Sequence, residues 1–196
     1  LMTLTDGKGF IHLKPVLDYK RLENGDKGPN TGSMGAVLLR DSDMINLIDA
    51  NLLWEAESVN TRVIKSLENY NGVLYGSFMI SNNQLKVIEF NCRLGDPDGS
   101  LALLNMNLDF IRVINLAKNL KLEEVPFQKK SQTNLVGVYL VPENYGTNSL
   151  QRNLKYDIFF RGELSRINSN ILNGNLNINN SSLCILYGDC SRADEH

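Results

Sequence analysis

One short run of this sequence carries a compact set of oxygen and nitrogen groups: Lys86-Val87-Ile88-Glu89-Phe90-Asn91-Cys92-Arg93. On a strand, alternate side chains share a face. Glu89, Asn91 and Arg93 then project together, and Ile88, Phe90 and Cys92 project the other way. A carboxylate and an amide carbonyl two residues apart make two hard oxygen ligands aimed at one point. Such a pair suits Mg²⁺, which takes one or two carboxylates and fills its other positions with waters and substrate phosphates. Arg93 beside them can grip a phosphate in a forked hold. A half-buried strand with a polar outer face has the same alternation, so the pattern alone leaves both readings open.

Two further segments bear on the same chemistry. Gly95-Asp96-Pro97-Asp98 follows directly; it can end the strand and cap a helix, and a helix N-terminus favours anions. Upstream, Asp26-Lys27-Gly28-Pro29-Asn30-Thr31-Gly32-Ser33-Met34-Gly35 is rich in glycine, which lets backbone N–H groups approach a ligand closely. It fits neither of the common phosphate-loop patterns. Asp18, Lys20 and Arg21 lie just before it. His12 and His196 are the only histidines, and no serine or cysteine stands in a nucleophile set. Trp54 and Cys92 read as packing residues.

The elements that must position these groups follow from periodicity. Met2 to Thr5 and Phe10 to Leu13 flank Asp6-Gly7-Lys8-Gly9 and read as a hairpin. Lys14 to Ala36 reads as a long irregular loop, because its glycines and Pro29 interrupt any regular pattern. Asp41-Ser42-Asp43 offers a cap for a helix through Leu53, and Val59 to Leu67 reads as a second helix. Val73 to Ile80 and Leu85 to Phe90 are strands joined at Asn82-Asn83. Ser100 to Leu122 reads as one helix. After Leu122 the composition shifts. Leu135 to Val141, Tyr156 to Phe160 and Leu183 to Tyr187 are short strand segments, and Leu172 to Ile178 is a hairpin arm. The expected architecture is α+β: an antiparallel sheet backed by helices over 1–122, a linker at 123–130, and a small β-rich domain over 131–196.

Composition bounds the function. The 196 residues carry a net charge of -2 and three cysteines, Cys92, Cys184 and Cys190. The near-balanced charge argues against a general polyanion binder. The cysteines form no zinc-type pair and read as reduced thiols in a cytoplasmic chain. No run approaches the ~20 apolar residues that span a membrane.

Taken together, Asp18-Tyr19-Lys20-Arg21, the Asp26-to-Ala36 segment and Val87 to Asp98 resemble the phosphoribosylamine–glycine ligases, ATP-grasp enzymes of de novo purine synthesis. The resemblance implies an ATP-dependent carboxylate–amine ligase that joins glycine to 5-phosphoribosylamine through a glycyl phosphate. It implies that Glu89 and Asn91 hold Mg²⁺ (or Mn²⁺) at the ATP phosphates and that Arg93 is the catalytic arginine. It assigns Asp18, Lys20, Arg21, Gly28, Pro29, Asn30, Thr31, Gly32, Gly35 and Asp96 to substrate binding. The sequence departs from the family pattern at Tyr19 (usually His), Ser33 (Gly), Leu94 (Phe) and Asp98 (Glu). The resemblance further implies that the family's amino-terminal half precedes Leu1, so the chain is expected to act only with that half, in cis or in trans. The competing expectation is a non-catalytic ATP-grasp remnant that serves partner contacts.

Overall fold

The computed structural model describes residues 1–106, 108–126, 133–139, 141 and 145, with the backbone of 176–178 and 181–183. The chain divides into two compact units, Leu1–Asn148 and Ser149–His196. In the first unit, strands β1 (Met2–Thr5), β2 (Phe10–His12), β5 (Gly72–Ser81) and β6 (Gln84–Asn91) form an antiparallel sheet in the order β2-β1-β5-β6. Strands β3 (Leu17–Glu23), β4 (Lys27–Leu38) and β7 (Leu135–Val138) form a second antiparallel sheet in the order β3-β4-β7. Among the described residues four α-helices accompany them: α1 (Asp41–Leu47), α2 (Ala50–Ser66), α3 (Asp98–Asn105) and α4 (Phe110–Lys118). In the second unit, β8 (Leu176–Ile178) pairs with β9 (Ser181–Leu183). The expected arm from Leu172 meets the described residues only there, and Tyr156 to Phe160 lies outside them. Among the described residues no helix is long and apolar enough to cross a membrane.

The first hairpin forms as its alternation requires. Met2 and Leu4 point into a core shared with Leu13, Ala102, Met106, Val113 and Leu122. Thr3 points the other way, where its Oγ1 accepts from Asn60 Nδ2 of α2 (3.0 Å) and lies 2.9 Å from His12 Nδ1. The turn is locked by Asp6, which is buried. Its Oδ1 accepts from the N–H groups of Lys8 (2.9 Å) and Gly9 (2.7 Å), and its Oδ2 accepts from Leu122 (2.8 Å). Burial would raise this carboxyl's pKa, but the N–H bonds from Leu122, Gly9 and Lys8 outweigh it and hold the pKa below the usual range.

Several local expectations are corrected. Lys14 to Ala36 is not a loop: most of it is the β3–β4 hairpin. The glycines and Asp that need positive φ, Gly25, Asp26 and Gly28, cluster at its turn. Gly32 and Gly35 lie within extended β4, and the pairing tolerates register shifts after Tyr19 and Arg21. Asp41 to Asp43 is not a cap; Arg40 holds that position without a side-chain capping bond. The cap is Asp49, whose side chain accepts from Asn51 N–H, and α2 then runs unbroken to Ser66. The expected single helix over 100–122 is two, because Asp109 caps α4 by accepting from Ile111 and Arg112. Trp54 is 70% exposed rather than packed, and Cys92 is exposed rather than a core residue.

The Asp6 lock has a measurable consequence. Asp6→Asn removes the charge and places a donor opposite one of the three N–H groups. Unfolding free energy at pH 7 is expected to fall by about 2 kcal/mol in urea denaturation. A carboxyl depressed in the folded state stabilises above its unfolded pKa, and that stabilisation disappears as pH falls through its folded value. The gap between wild type and variant should therefore close under acid; equal midpoints at pH 7 would contradict the assignment.

Candidate functional site

The ends of β5 and β6 build one wall. Tyr75 pairs with Asn91 and Ser77 with Glu89, and a register shift separates Ser77 from Phe78. Glu89 and Asn91 share a face as the alternation predicts, and their side chains touch: Asn91 Nδ2 donates to Glu89 Oε1 at 3.1 Å. That contact leaves Asn91 Oδ1 and the second Glu89 oxygen as acceptors at an exposed edge. Arg93 is exposed just beyond, its guanidinium donating to Leu94 O at 3.0 Å. The opposite face does not behave as expected, since Ile88 is 58% exposed rather than buried.

A carboxylate at the start of α3 forms the floor. Asp98 is only 3% exposed. Its Oδ2 accepts from the Tyr75 hydroxyl, and its Oδ1 has no hydrogen-bond partner among the described residues. Burial raises the Asp98 carboxyl's pKa, and the Tyr75 bond opposes that shift. Asp18 and Lys20 act on it electrostatically with opposite sign, and Asp18 and Arg93 likewise act on Tyr75. The β3–β4 hairpin therefore stands beside the β6 terminus. The turn before α3, with a cis Asp96–Pro97 bond, is held from the other sheet as well. The Tyr139 hydroxyl bonds Asp96, and Tyr139 N–H donates to Met34 O at 3.1 Å.

The base of the hairpin supplies the third wall. Lys20 Nζ lies 3.2 Å from Asp18 Oδ2 and donates to Gly32 O at 3.4 Å. Ser33, buried where the family pattern has glycine, donates to Asp18 Oδ1 at 2.7 Å and accepts from Gly35 N–H at 3.1 Å. Its extra side chain thus fits and orients Asp18. Gly35 is needed where it stands: a Cβ there would lie 2.5 Å from the Gly137 carbonyl oxygen of β7.

The structure groups Glu89, Asn91, Arg93, Asp18, Lys20 and Asp96 around the β6 terminus and the α3 turn. Arg21, Gly28, Asn30 and Thr31 bond or pair within the hairpin instead, and Pro29 lies between them in β4. Arg21 donates to Gly28 O at 2.8 Å, Thr31 Oγ1 donates to Lys20 O at 2.9 Å, and Arg21 pairs with Asn30 in register. Tyr75 and Tyr139 were not legible as site residues. Tyr75 could have been found by carrying the β6 alternation across the Asn82-Asn83 turn onto β5; Tyr139 has no local signal.

Comparison with known proteins places this arrangement. Residues 1–99 match the phosphoribosylglycinamide synthetase, ATP-grasp (A) domain family. The chain belongs to that family. Phosphoribosylglycinamide synthetase relatives include the trifunctional purine biosynthetic protein adenosine-3 of Drosophila melanogaster, 36% identical over 74% of this chain and 11% of that protein. They also include a phosphoribosylamine–glycine ligase of Methanocella arvoryzae, 32% identical over 77% of this chain and 36% of the relative. A crystal structure of phosphoribosylamine–glycine ligase from Thermotoga maritima superposes with a TM-score of 0.52 at 31% identity, covering 74% of this chain and 36% of that one. The chain thus spans about a third of the length of these single-function relatives. The antiparallel sheets with helices agree with an ATP-grasp fold, and all the grouped site residues lie within the matched span.

The Ser33 contacts can be tested directly. Ser33→Ala removes the donor to Asp18 and the acceptor for Gly35 N–H, a loss of about 1 kcal/mol. For a chain of this size, thermal melting should fall by about 2–4 °C. An unchanged melting temperature would show that the hydroxyl does not support Asp18.

Proposed function

We propose that this chain supplies the carboxylate-activating face of a phosphoribosylamine–glycine ligase of purine biosynthesis, acting in the cytoplasm. The observation that carries the reading is the grouping of Glu89, Asn91 and Arg93 with Asp18 and Lys20 inside the family-matched residues. The reaction joins ATP, glycine and 5-phosphoribosylamine. An oxygen of the glycine carboxylate attacks the γ-phosphorus and ADP departs, giving glycyl phosphate. The amine of phosphoribosylamine then attacks the acyl carbon, an N–C bond forms, the acyl C–O bond breaks, and phosphate leaves with the amine's surplus proton released. No protein nucleophile is required, which fits a site with no Ser/His or Cys/His set. Catalysis of this kind rests on positioning and charge neutralisation.

Each residue has a part. Glu89 and Asn91 offer two oxygens on one exposed face, a donor set that fits Mg²⁺ or Mn²⁺ shared with substrate phosphates rather than enclosed by protein. When bound, the ion screens phosphate charge. Arg93 meets the transferring phosphoryl group and the charge that develops on it. Lys20 and Asp18, with Asp96 and the glycines of β4, line the side where the two smaller substrates enter. The β5–β6 ribbon exposes Met79 of β5 and, on the edge strand β6, Val87 and Ile88. A patch of this kind fits a surface that other parts of the ligase cover, in the same chain or a partner.

Steady-state phosphate release by the full-length protein tests the function, and it should require ATP, glycine and phosphoribosylamine together. Arg93→Ala is expected to lower kcat on the order of 100-fold. Glu89→Gln should raise the Mg²⁺ concentration needed for half-maximal rate on the order of tenfold, consistent with loss of one ligand. Release that ignores glycine, or an unchanged Mg²⁺ requirement in Glu89→Gln, would overturn the function or the metal assignment respectively.

A further inference from the structure

We propose that Ser33 is a positioning residue: acting through Asp18, it holds the Lys20 ammonium in place for an anionic group, a carboxylate or a phosphate, of one of the two smaller substrates. This rests on the ligase reading above and adds to it a residue that the family pattern, with glycine at that position, does not contain.

Three observations carry it. The first is the backbone. Between the pairs Tyr19–Gly35 and Arg21–Asn30, β3 has one residue, Lys20, and β4 has four, Thr31 to Met34. The surplus folds around that lysine. Thr31 Oγ1 donates to the Lys20 carbonyl at 2.9 Å, and Lys20 Nζ donates to the Gly32 carbonyl at 3.4 Å. A bulge that re-aims one side chain is a common device beside a site. The second is a chain of hydrogen bonds. Gly35 N–H donates to Ser33 Oγ at 3.1 Å, the Ser33 hydroxyl donates to Asp18 Oδ1 at 2.7 Å, and Lys20 Nζ stands 3.2 Å from Asp18 Oδ2. A hydroxyl has one hydrogen to give. The Gly35 carbonyl is also 3.1 Å from Ser33 Oγ, but the carboxylate is nearer and charged, so it takes that hydrogen.

The third is how the two ends of that chain sit. Its start is fixed and dry. Ser33 is buried, Gly35 lies hard against the Gly137 carbonyl of β7, and the Met34 carbonyl between them accepts from Tyr139 N–H. Its far end reaches water, for the Lys20 side chain is 44% exposed while that of Asp18 is 14% exposed. Among the described residues, Asp18 and the Gly32 carbonyl engage two of the three Lys20 ammonium hydrogens, which leaves the third for a ligand. A free lysine stem must give up rotamer freedom when it binds, and one already held loses less. Glycine at position 33 has no hydroxyl, so Asp18 Oδ1 would lack this donor and the carboxylate would grip Lys20 less firmly.

In the full-length protein Ser33→Ala should raise one KM about fivefold, as for the loss of one hydrogen bond. The rise falls on glycine where Lys20 meets a carboxylate, and on phosphoribosylamine where it meets a phosphate. The turnover number and the KM for ATP should stay within about twofold. In a Lys20→Met background the same substitution should leave all three KM values within about twofold, because the residue it acts through is gone. Reductive methylation of Lys20, followed by peptide mass spectrometry against the exposed Lys118, reads the positioning without turnover. Ser33→Ala should speed that methylation by about threefold or more, again on the scale of one hydrogen bond. Unchanged KM values for both glycine and phosphoribosylamine overturn the proposal, even where the melting temperature falls. An equal rise in the Lys20→Met background overturns it too. Should Ser33→Ala fail to fold, Ser33→Gly takes its place and the same outcomes decide. A wild type without glycine-dependent turnover removes the ligase reading, whereas an unchanged methylation rate of Lys20 in Ser33→Ala removes the positioning by Ser33.

Discussion

The antiparallel pairing of β5 with β6 is the constraint on which the site depends. It fixes Tyr75 opposite Asn91 and Ser77 opposite Glu89. One face of this ribbon therefore carries a carboxylate, an amide and a hydroxyl that donates to Asp98. A slip of one residue would send Glu89 and Asn91 to the opposite face and Tyr75 away from α3. The register is held where it matters: the shift falls between Ser77 and Phe78, and the pairs at Ser77 and Tyr75 keep Glu89 and Asn91 in step.

The second sheet brings charge to that ribbon. The β3–β4 hairpin bonds to β7 closely enough that only glycine fits at position 35, and α3 packs Leu101 against Ala36 and Leu38 of β4. Because α3 begins at Asp98, the helix that closes this small core also sets the buried carboxylate. Tyr139 adds a bond to Asp96 from the far side of the turn. The turn and the start of α3 are thus held by Tyr75 of β5 and by Tyr139, which follows β7. Asp98 and Asp18 are buried or nearly so by this packing, while Lys20 and Arg93 reach the surface.

Much of this was legible in the residues. The first hairpin, the β5–β6 pair and the shared face of Glu89 and Asn91 follow from alternation and from turn residues such as Asp6-Gly7 and Asn82-Asn83. The family membership was legible as well, because it rests on chemistry-bearing runs whose order and spacing are particular. The β3–β4 hairpin was not, because Gly28, Gly32, Gly35 and Pro29 weaken local strand signal, and the segment is extended by pairing with β3 and, from Gly35 onward, with β7. The split between α3 and α4 turned on a single cap, Asp109, within a continuous apolar pattern. Tyr75 and Tyr139 read as ordinary strand residues; their part depends on a turn that a linear sequence does not bring near them. Cys92 and Ile88 show the reverse error, for a strand at the edge of a sheet need not bury its apolar face.

The central claim is that these residues serve activation of a carboxylate by ATP, and an isotope tracer reaches it most directly. Full-length protein supplied with ATP, phosphoribosylamine and glycine labelled with ¹⁸O in its carboxylate should release inorganic phosphate carrying one glycine-derived oxygen per turnover. Amide product formed alongside phosphate free of label would contradict the account.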